Sequence, residues 1–497
     1  MSIRRFERDY TPGVRKLVTN SAQMPYRTFA RKESHPARVG ALARLSGIAA
    51  APADRCSVLE LGCGDGRNII PIAAAFPNSR FVGIDCAKDL IEKGRRECTE
   101  LGISNVELIV ADLAEYNPPA GEFDYGICHG VYSWVTQELQ QRIPQLCKRA
   151  LAPQGVFFLS YNTLPGWRQR GVVRDIFQIG SMMSQGDDDH SRYTAGMSLL
   201  KKLSQEPHLS SYVREAAQRL EHSEPSYVTQ EFLGEHNTPL LFVDFMQAAQ
   251  DAGLQFVSEA RIVMMSSEDL STETNELLNS LGEDVWMREQ ILDLVRNRTF
   301  RETLLCHDTI ALNRGLSTKA FKDLIFVANF VPVESGSGGD EEGVLFRERA
   351  TEREIRAPRG ECERALGALA RFGVAGATMS TLLESILSEE NITEHEIMRA
   401  MVTLWKTGFV DALQMSLCGE LPEASVSSLA RFQAVAAEKV TSFLHESLAL
   451  SDLERRALQA VQKPLSFQAL ETLLVPYAPL QEVQQALANL RERGFFR

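Results

Sequence analysis

Between residues 55 and 165, short apolar runs alternate with longer stretches of helical spacing. Val58-Leu59-Glu60-Leu61 is apolar and β-prone, and it stops where Gly62, Cys63, Gly64, Asp65 and Gly66 begin. IIPIAAAF (69–76) follows with the pattern of a buried helix. A strand, a glycine turn and a helix form the first half of a βαβ unit. SRFVGID (79–85), VELIVAD (106–112), FDYGICHG (123–130) and GVFFLSYN (155–162) read as four further strands. Helical patterns at 87–101 and 137–151 separate them. Five strands alternating with helices predict an α/β, doubly wound, Rossmann-like sheet with its ligand at the carboxyl ends of the strands.

Beyond the sheet the periodicity changes. Residues 180–222 are helical in pattern, broken by the acidic QGDDDH (185–190), a solvated loop. Residues 226–314 read as mainly helical, with one strand candidate at 253–265. FKDLIFVANFVPVE and GVLFRERATE flank SGSGGDEEG (335–343), which predicts a hairpin around a Gly-Ser-acidic turn. A weak repeat closes the chain: residues 363–410 parallel 454–496, each with three short helices ending in Gly-Phe. Such units look like winged helices. A DNA reader needs a basic face, and the first copy offers Glu389, Glu390, Glu394 and Glu396 around its turn. A protein-docking or substrate-recruiting role fits better, with dimerisation contacts as the plain alternative. The expected division is an N-terminal cap segment (1–54), a ligand-binding α/β domain (55–180), a helical regulatory region (181–318), a hairpin with a first winged-helix-like module (319–420) and a second such module (421–497).

Composition narrows the setting. The chain has 497 residues and a formal net charge of −12, which disfavours nucleic-acid partners. No apolar run approaches the ~18 residues of a membrane span, and MSIRRFERDYTPG lacks the apolar core of a signal peptide. Nine cysteines without CxxC spacing predict reduced thiols in a cytoplasm rather than disulfides or a metal site.

The glycine turn carries the chemistry. A dinucleotide site uses G-x-G-x-x-G, but here the third glycine comes one residue early and Arg67 follows it. Glu60 at the mouth is poor company for a pyrophosphate. A ligand with an ammonium, a sulfonium and a ribose suits the site better, and S-adenosyl-L-methionine has all three. Glu60 would orient the ammonium. Asp85, 19 residues past Gly66, would accept the ribose hydroxyls. Asp112, with Leu113, would meet the adenine, and Asn68 joins Gly62, Gly64 and Gly66 in the cofactor set. E-x-G-x-G-x-G with acids closing the second and third strands resembles the class I S-adenosylmethionine-dependent methyltransferases over residues 55–165.

HGVYSWV (129–135) and SYNTLPGW (160–167) leave the sheet at the same edge, where an acceptor would lie. The N/D-P-P-Y motif of many DNA and glutamine methyltransferases is absent. Tyr132, Trp134, Tyr161 and Trp167 could wall an aromatic slot that excludes water and favours a nearby cation. His129 would contact cofactor or accept a proton, and Asn162 and Tyr26 would line the substrate side. Aromatics after strands also serve as packing, and that reading stands beside the slot. Ser34-His35-Pro36 reads as a Ser cap with Pro in the first helical turn.

Both stretches, together with 24–48, 227–260 and 288–314, resemble bacterial methyltransferases carrying a methyltransferase regulatory domain. The rickettsial lysine methyltransferases of outer-membrane protein B belong to that group. The resemblance implies a protein lysine acceptor and a homodimer. A small-molecule acceptor, or a cofactor-binding protein without activity, are the alternatives.

Overall fold

The structure, a computed structural model, describes residues 29–333, 344–349, 354–356, 360–387, 393–418 and 423–496. Tyr26, the turn at 335–343 and the acids Glu389 and Glu390 lie outside them.

Helix α1 (Pro36–Leu45) precedes a seven-stranded sheet. Its strands are β1 (Ser57–Leu61), β2 (Arg80–Asp85), β3 (Val106–Val110), β4 (Phe123–Cys128), β5 (Leu151–Asn162), β6 (Leu254–Glu259) and β7 (Phe300–His307), in the order 3-2-1-4-5-7-6. The first five are parallel; α2 (Ile69–Ala75), α3 (Lys88–Leu101) and α4 (Gln137–Ala150) make three of their connections, and a loop without a helix joins β3 to β4. β7 runs antiparallel between β5 and β6. The sequence expectation of a mainly helical 226–314 therefore misses β7. Its Phe300–His307 run is buried on both faces, so it lacks the alternation that marks a half-exposed strand.

Helices α5 (Gly166–Met182), α6 (Asp189–Leu203), α7 (Ser211–Leu220) and α8 (Pro225–Leu233) form a cluster around Val173, Phe177, Leu200 and Phe232. In the acidic loop before α6, Asp188 caps the helix by accepting from the Ser191 N–H at 3.0 Å. Helix α9 (Phe242–Asp251) covers one sheet face with α4, against Leu59, Phe157, Leu159 and Leu305. Helices α10 (Thr272–Ser280) and α11 (Val285–Arg296) precede β7. Fully buried Arg301 on β7 binds Glu259 at 2.7 Å and Asp293 at 2.9 Å, tying β6, β7 and α11 together. A buried guanidinium is tolerable only when paired in this way.

The opposite sheet face packs on α1 and on the first C-terminal module in one continuous core. That module has helices Glu361–Arg371, Met379–Leu387 and Glu394–Lys406, with strand Ile325–Ala328 between Ala377–Thr378 and Val410–Leu413. The second repeats the plan with helices Asp452–Ala460, Phe467–Leu474 and Leu480–Glu492. Their third helices stop alike. Gly408 and Gly494 take φ of +80° and +71°, and the next residues, Phe409 and Phe495, bond back to Leu404 and Leu490 at 2.8 and 2.9 Å.

The cap of α1 differs from the expectation. His35, not Ser34, is the N-cap: its Nδ1 accepts from the Ala37 N–H at 3.2 Å, with Pro36 at the first helical position. Ser34 is buried and turned toward Asn68, whose amide donates to its Oγ at 3.1 Å.

Candidate cofactor and acceptor site

The glycine turn leaves β1 with backbone only glycine adopts freely. Gly62 has φ +74°, and a Cβ there would lie 2.3 Å from Val131 Cγ2. Gly66 has φ +81°, with Ile70 Cδ1 at 2.7 Å from a Cβ. The Gly64 N–H donates to Asp85 Oδ2 at 2.8 Å, and the Ala87 N–H donates to Asp85 Oδ1 at 2.8 Å. Asp85 thus ties the turn to the end of β2. A carboxylate has roughly four acceptor positions, so two remain for a diol. Asp112 is exposed after β3, its Oδ1 accepting from the Ala114 N–H at 2.8 Å. Leu113 is buried, and its carbonyl accepts from Arg142 Nε at 3.0 Å.

Glu60 stands at the end of β1 and is only 3% exposed. Its Oε1 accepts from Asn68 Nδ2 at 2.9 Å. Among the described residues its buried Oε2 has no partner. Burial pushes the carboxyl up to about 8, Asn68 opposing and Asp85 adding to the shift. An orphaned buried acceptor costs stability until a donor arrives. A cationic N–H donor fits this place and a phosphate does not. The geometry therefore accommodates the ammonium of S-adenosylmethionine, with Asp85 placed for its ribose.

Asn68 takes a different position from that of a direct cofactor contact. Its Nδ2 donates to Glu60 and Ser34, and its Oδ1 accepts from the Arg31 N–H and from His445 Nε2, both at 2.9 Å. Two donors and two acceptors are all spent within the protein.

On the acceptor side, His129 Nδ1 lies 3.1 Å from Ser160 Oγ, which accepts from the Gly130 N–H at 2.9 Å. Burial, with Arg31 adding, pushes the imidazole down to about 3. His129 is therefore neutral near pH 7, and it is too weak a base to take a proton from an ammonium. Glu302, opposite Ser160 in the β5–β7 register, is pushed up to about 7 by burial and Glu33, and pairs with Arg261 Nε at 2.8 Å.

Tyr132 and Tyr161 lie on the sheet face that α9 covers, each 1% exposed. Tyr161 stacks on Phe245 at 4.0 Å, and Tyr132 meets the same ring edge-on at 5.5 Å. Their geometry is that of packing, which parts them from His129 and from the slot sketched from sequence. Trp134 and Trp167 do come together, edge to face at 6.2 Å, with the Arg170 guanidinium 4.7 Å over Trp167. Asn162 joins them at the end of β5: its N–H donates to Ser133 Oγ at 2.8 Å and its Nδ2 to Asn237 Oδ1 at 3.0 Å. Trp167 Nε1 and Asn237 Nδ2 are buried donors without partners among the described residues. Arg31, Ser34, Ser160, Asn237, Glu302 and His445 contact or face these residues and are absent from the sequence-derived set. These contacts are long-range, so apart from Ser160, which opens the 160–167 stretch, no local signal marks these positions.

Family models match the chain twice: "Methyltransferase domain" over residues 58–155 and "Predicted methyltransferase regulatory domain" over residues 224–307. Protein RP028 of Rickettsia prowazekii is 33% identical over 233 residues, covering 46% of this chain and 92% of that protein. This chain belongs to the methyltransferases that carry this regulatory domain. A second R. prowazekii protein, RP789, is 31% identical over 313 residues, 62% of this methyltransferase but only 56% of that relative's length. PKMT2 from Rickettsia typhi, solved in complex with AdoHcy, superposes with a TM-score of 0.82 at 25% identity, covering 95% of this methyltransferase and all of that chain. The cofactor is S-adenosylmethionine. No helix among the described residues is long and apolar enough to cross a membrane.

Proposed function

We propose that this methyltransferase modifies lysine side chains of a protein substrate. The observation that carries the reading is the whole-chain likeness to PKMT2, which extends through the regulatory region and both C-terminal modules rather than stopping at the cofactor domain. The resemblance to the rickettsial lysine methyltransferases points the same way.

S-adenosylmethionine supplies an electrophilic methyl on its sulfonium. The chain supplies position: Glu60 would hold the ammonium and Asp85 the ribose, and the glycine turn would let both approach the backbone. Methyl transfer is an in-line displacement that gains mainly from alignment and exclusion of water. Trp134 and Trp167 wall the acceptor side, and Asn162 with Asn237 presents polar groups there. An amine must be neutral to attack. With His129 neutral and weakly basic, its part is to orient, through Ser160, rather than to accept the proton. The nine free thiols suit a cytoplasmic setting.

Incubation of the protein with methyl-labelled S-adenosylmethionine and a lysate, resolved by gel, tests the reading. Labelled protein bands that disappear with Gly64→Arg, and methyl-lysine after hydrolysis, are expected. Label confined to small metabolites would replace lysine with a small-molecule acceptor.

A further inference from the structure

The second C-terminal module reaches the cofactor site through the tip of a small hairpin. Strands Val440–Thr441 and Ser447–Leu448 pair antiparallel, and His445 lies between them with φ +62°. That left-handed conformation is uncommon for a residue with a Cβ, though His tolerates it better than most. The tip makes three polar contacts with the front of the molecule. Ser447 Oγ accepts from the Ala30 N–H at 3.1 Å, Glu446 Oε1 accepts from Lys32 Nζ at 2.8 Å, and His445 Nε2 lies 2.9 Å from Asn68 Oδ1. Asn68 Oδ1 is an acceptor, because its Nδ2 donates to Glu60, so His445 is the donor. Its ring is 3% exposed and stands 5.3 Å from that of His35.

We propose that His445 is a positioning residue for the cofactor: from the second C-terminal module it fixes the Asn68 amide, and through it the Glu60 carboxylate that receives the ammonium. The inference rests on the reading of Glu60 as the ammonium acceptor. An amide can rotate by 180° and exchange its oxygen and nitrogen. With a donor on Oδ1 from His445 and another from the Arg31 N–H, only one orientation leaves Nδ2 facing Glu60 Oε1. Glu60 Oε2 then faces away from Asn68, unpartnered and available. Removing His445 takes away half of what selects that orientation. By linkage, cofactor binding and seating of the module must favour each other equally.

The test uses the full chain and calorimetric titration with S-adenosylmethionine. His445→Gly removes the imidazole where glycine takes φ +62° without strain. It is expected to weaken cofactor binding by about tenfold, raising KM for the cofactor while kcat stays within about twofold. His445→Gln, which offers a donor of similar reach, is expected to recover part of the loss. In an Asn68→Ala background, His445→Gly should weaken binding by less than about twofold more. Hydrogen exchange on the unmutated protein gives a readout independent of variant folding: amides of 440–448 should gain protection when cofactor is added. Unchanged affinity in His445→Gly, full additivity with Asn68→Ala, or no change of protection at the tip would each overturn the proposal. Apart from KM and kcat, which need an acceptor, these measurements require only the cofactor, so failure of the lysine reading leaves them intact. Failure of the cofactor reading would show separately, as absence of binding to the unmutated protein.

Discussion

The two C-terminal modules share three helices and the same Gly-Phe stop, yet they are attached differently. Leu366, Leu369, Leu404 and Trp405 of the first lie in the same continuous core as Val58 and Tyr125 of the sheet. The second encloses its own core around Leu458, Leu470, Leu487 and Phe495, while Leu429 and Leu444 enter the larger one and Phe443 packs against it. It also touches the front through the His445–His35 ring contact and the Lys439 ammonium 4.4 Å over the Phe29 ring, and through hydrogen bonds from Lys32 to Glu446, Ala30 to Ser447 and His445 to Asn68. Apolar burial fixes the first module strongly and without direction. Hydrogen bonds fix the second weakly but with angular precision, which is what placing a carboxylate needs.

The comparison breaks most visibly in the cores. Trp405→Ala should cost about 3–5 kcal/mol and lower the unfolding of the cofactor domain with it. Leu458→Ala should cost about 2–5 kcal/mol but loosen the second module in a separate, earlier transition. Denaturation followed by cofactor binding and by exchange in 452–496 separates the two; a single transition shifted equally by both would show the attachments to be equivalent.

Next in size is Asp85→Ala, which removes the acceptor shared by Gly64 and Ala87. Loss of about 1.5–3 kcal/mol in cofactor binding is expected by titration, and unchanged affinity would sink the ribose assignment.

Glu60 gives a pH signature. Its folded value of about 8 lies above the roughly 4.3 of an unfolded glutamate, so the empty fold binds the extra proton and loses stability as pH rises from about 4.3 through 8. An ammonium needs the ionised form. Cofactor affinity should therefore fall as pH drops below about 8, by up to about tenfold per unit. Glu60→Gln should flatten this profile.

The smallest effect belongs to Lys32→Met. Burial would lower the ammonium's pKa, but Asp411 and Glu446, at 3.7 and 2.8 Å, more than offset it and raise it. With the side chain still 28% exposed, the stability change should stay within about 1 kcal/mol. A larger loss would mean that charge, not apolar burial, holds the modules to the front.

How much of this was legible in the chain follows from the range of each interaction. Gly62, Gly66, Glu60 and Asp85 are readable because a tight turn, a ligand's close approach and a strand-end acid all act within a few residues. The five parallel strands are readable for the same reason. Strand β7 is not, since a run buried on both faces has no alternation, and its place between β5 and β6 depends on what packs beside it. The aromatic residues show the limit most clearly. Trp134 and Tyr132 are two residues apart and equally plausible in sequence, but one faces its fellow tryptophan and the other is sealed against Phe245.

The sequence by itself determined the glycine turn, the positions of the parallel strands along the chain and the Gly-Phe repeat, because local backbone preference and periodic burial specify them. Tertiary structure alone decided that Asn68 spends its amide on Glu60, Ser34, Arg31 and His445, that Tyr132 and Tyr161 are core, and that His445 meets Asn68 from 377 residues away. Hydrogen-bond saturation and the choice of sheet face depend on which distant groups meet, and no local pattern encodes that meeting.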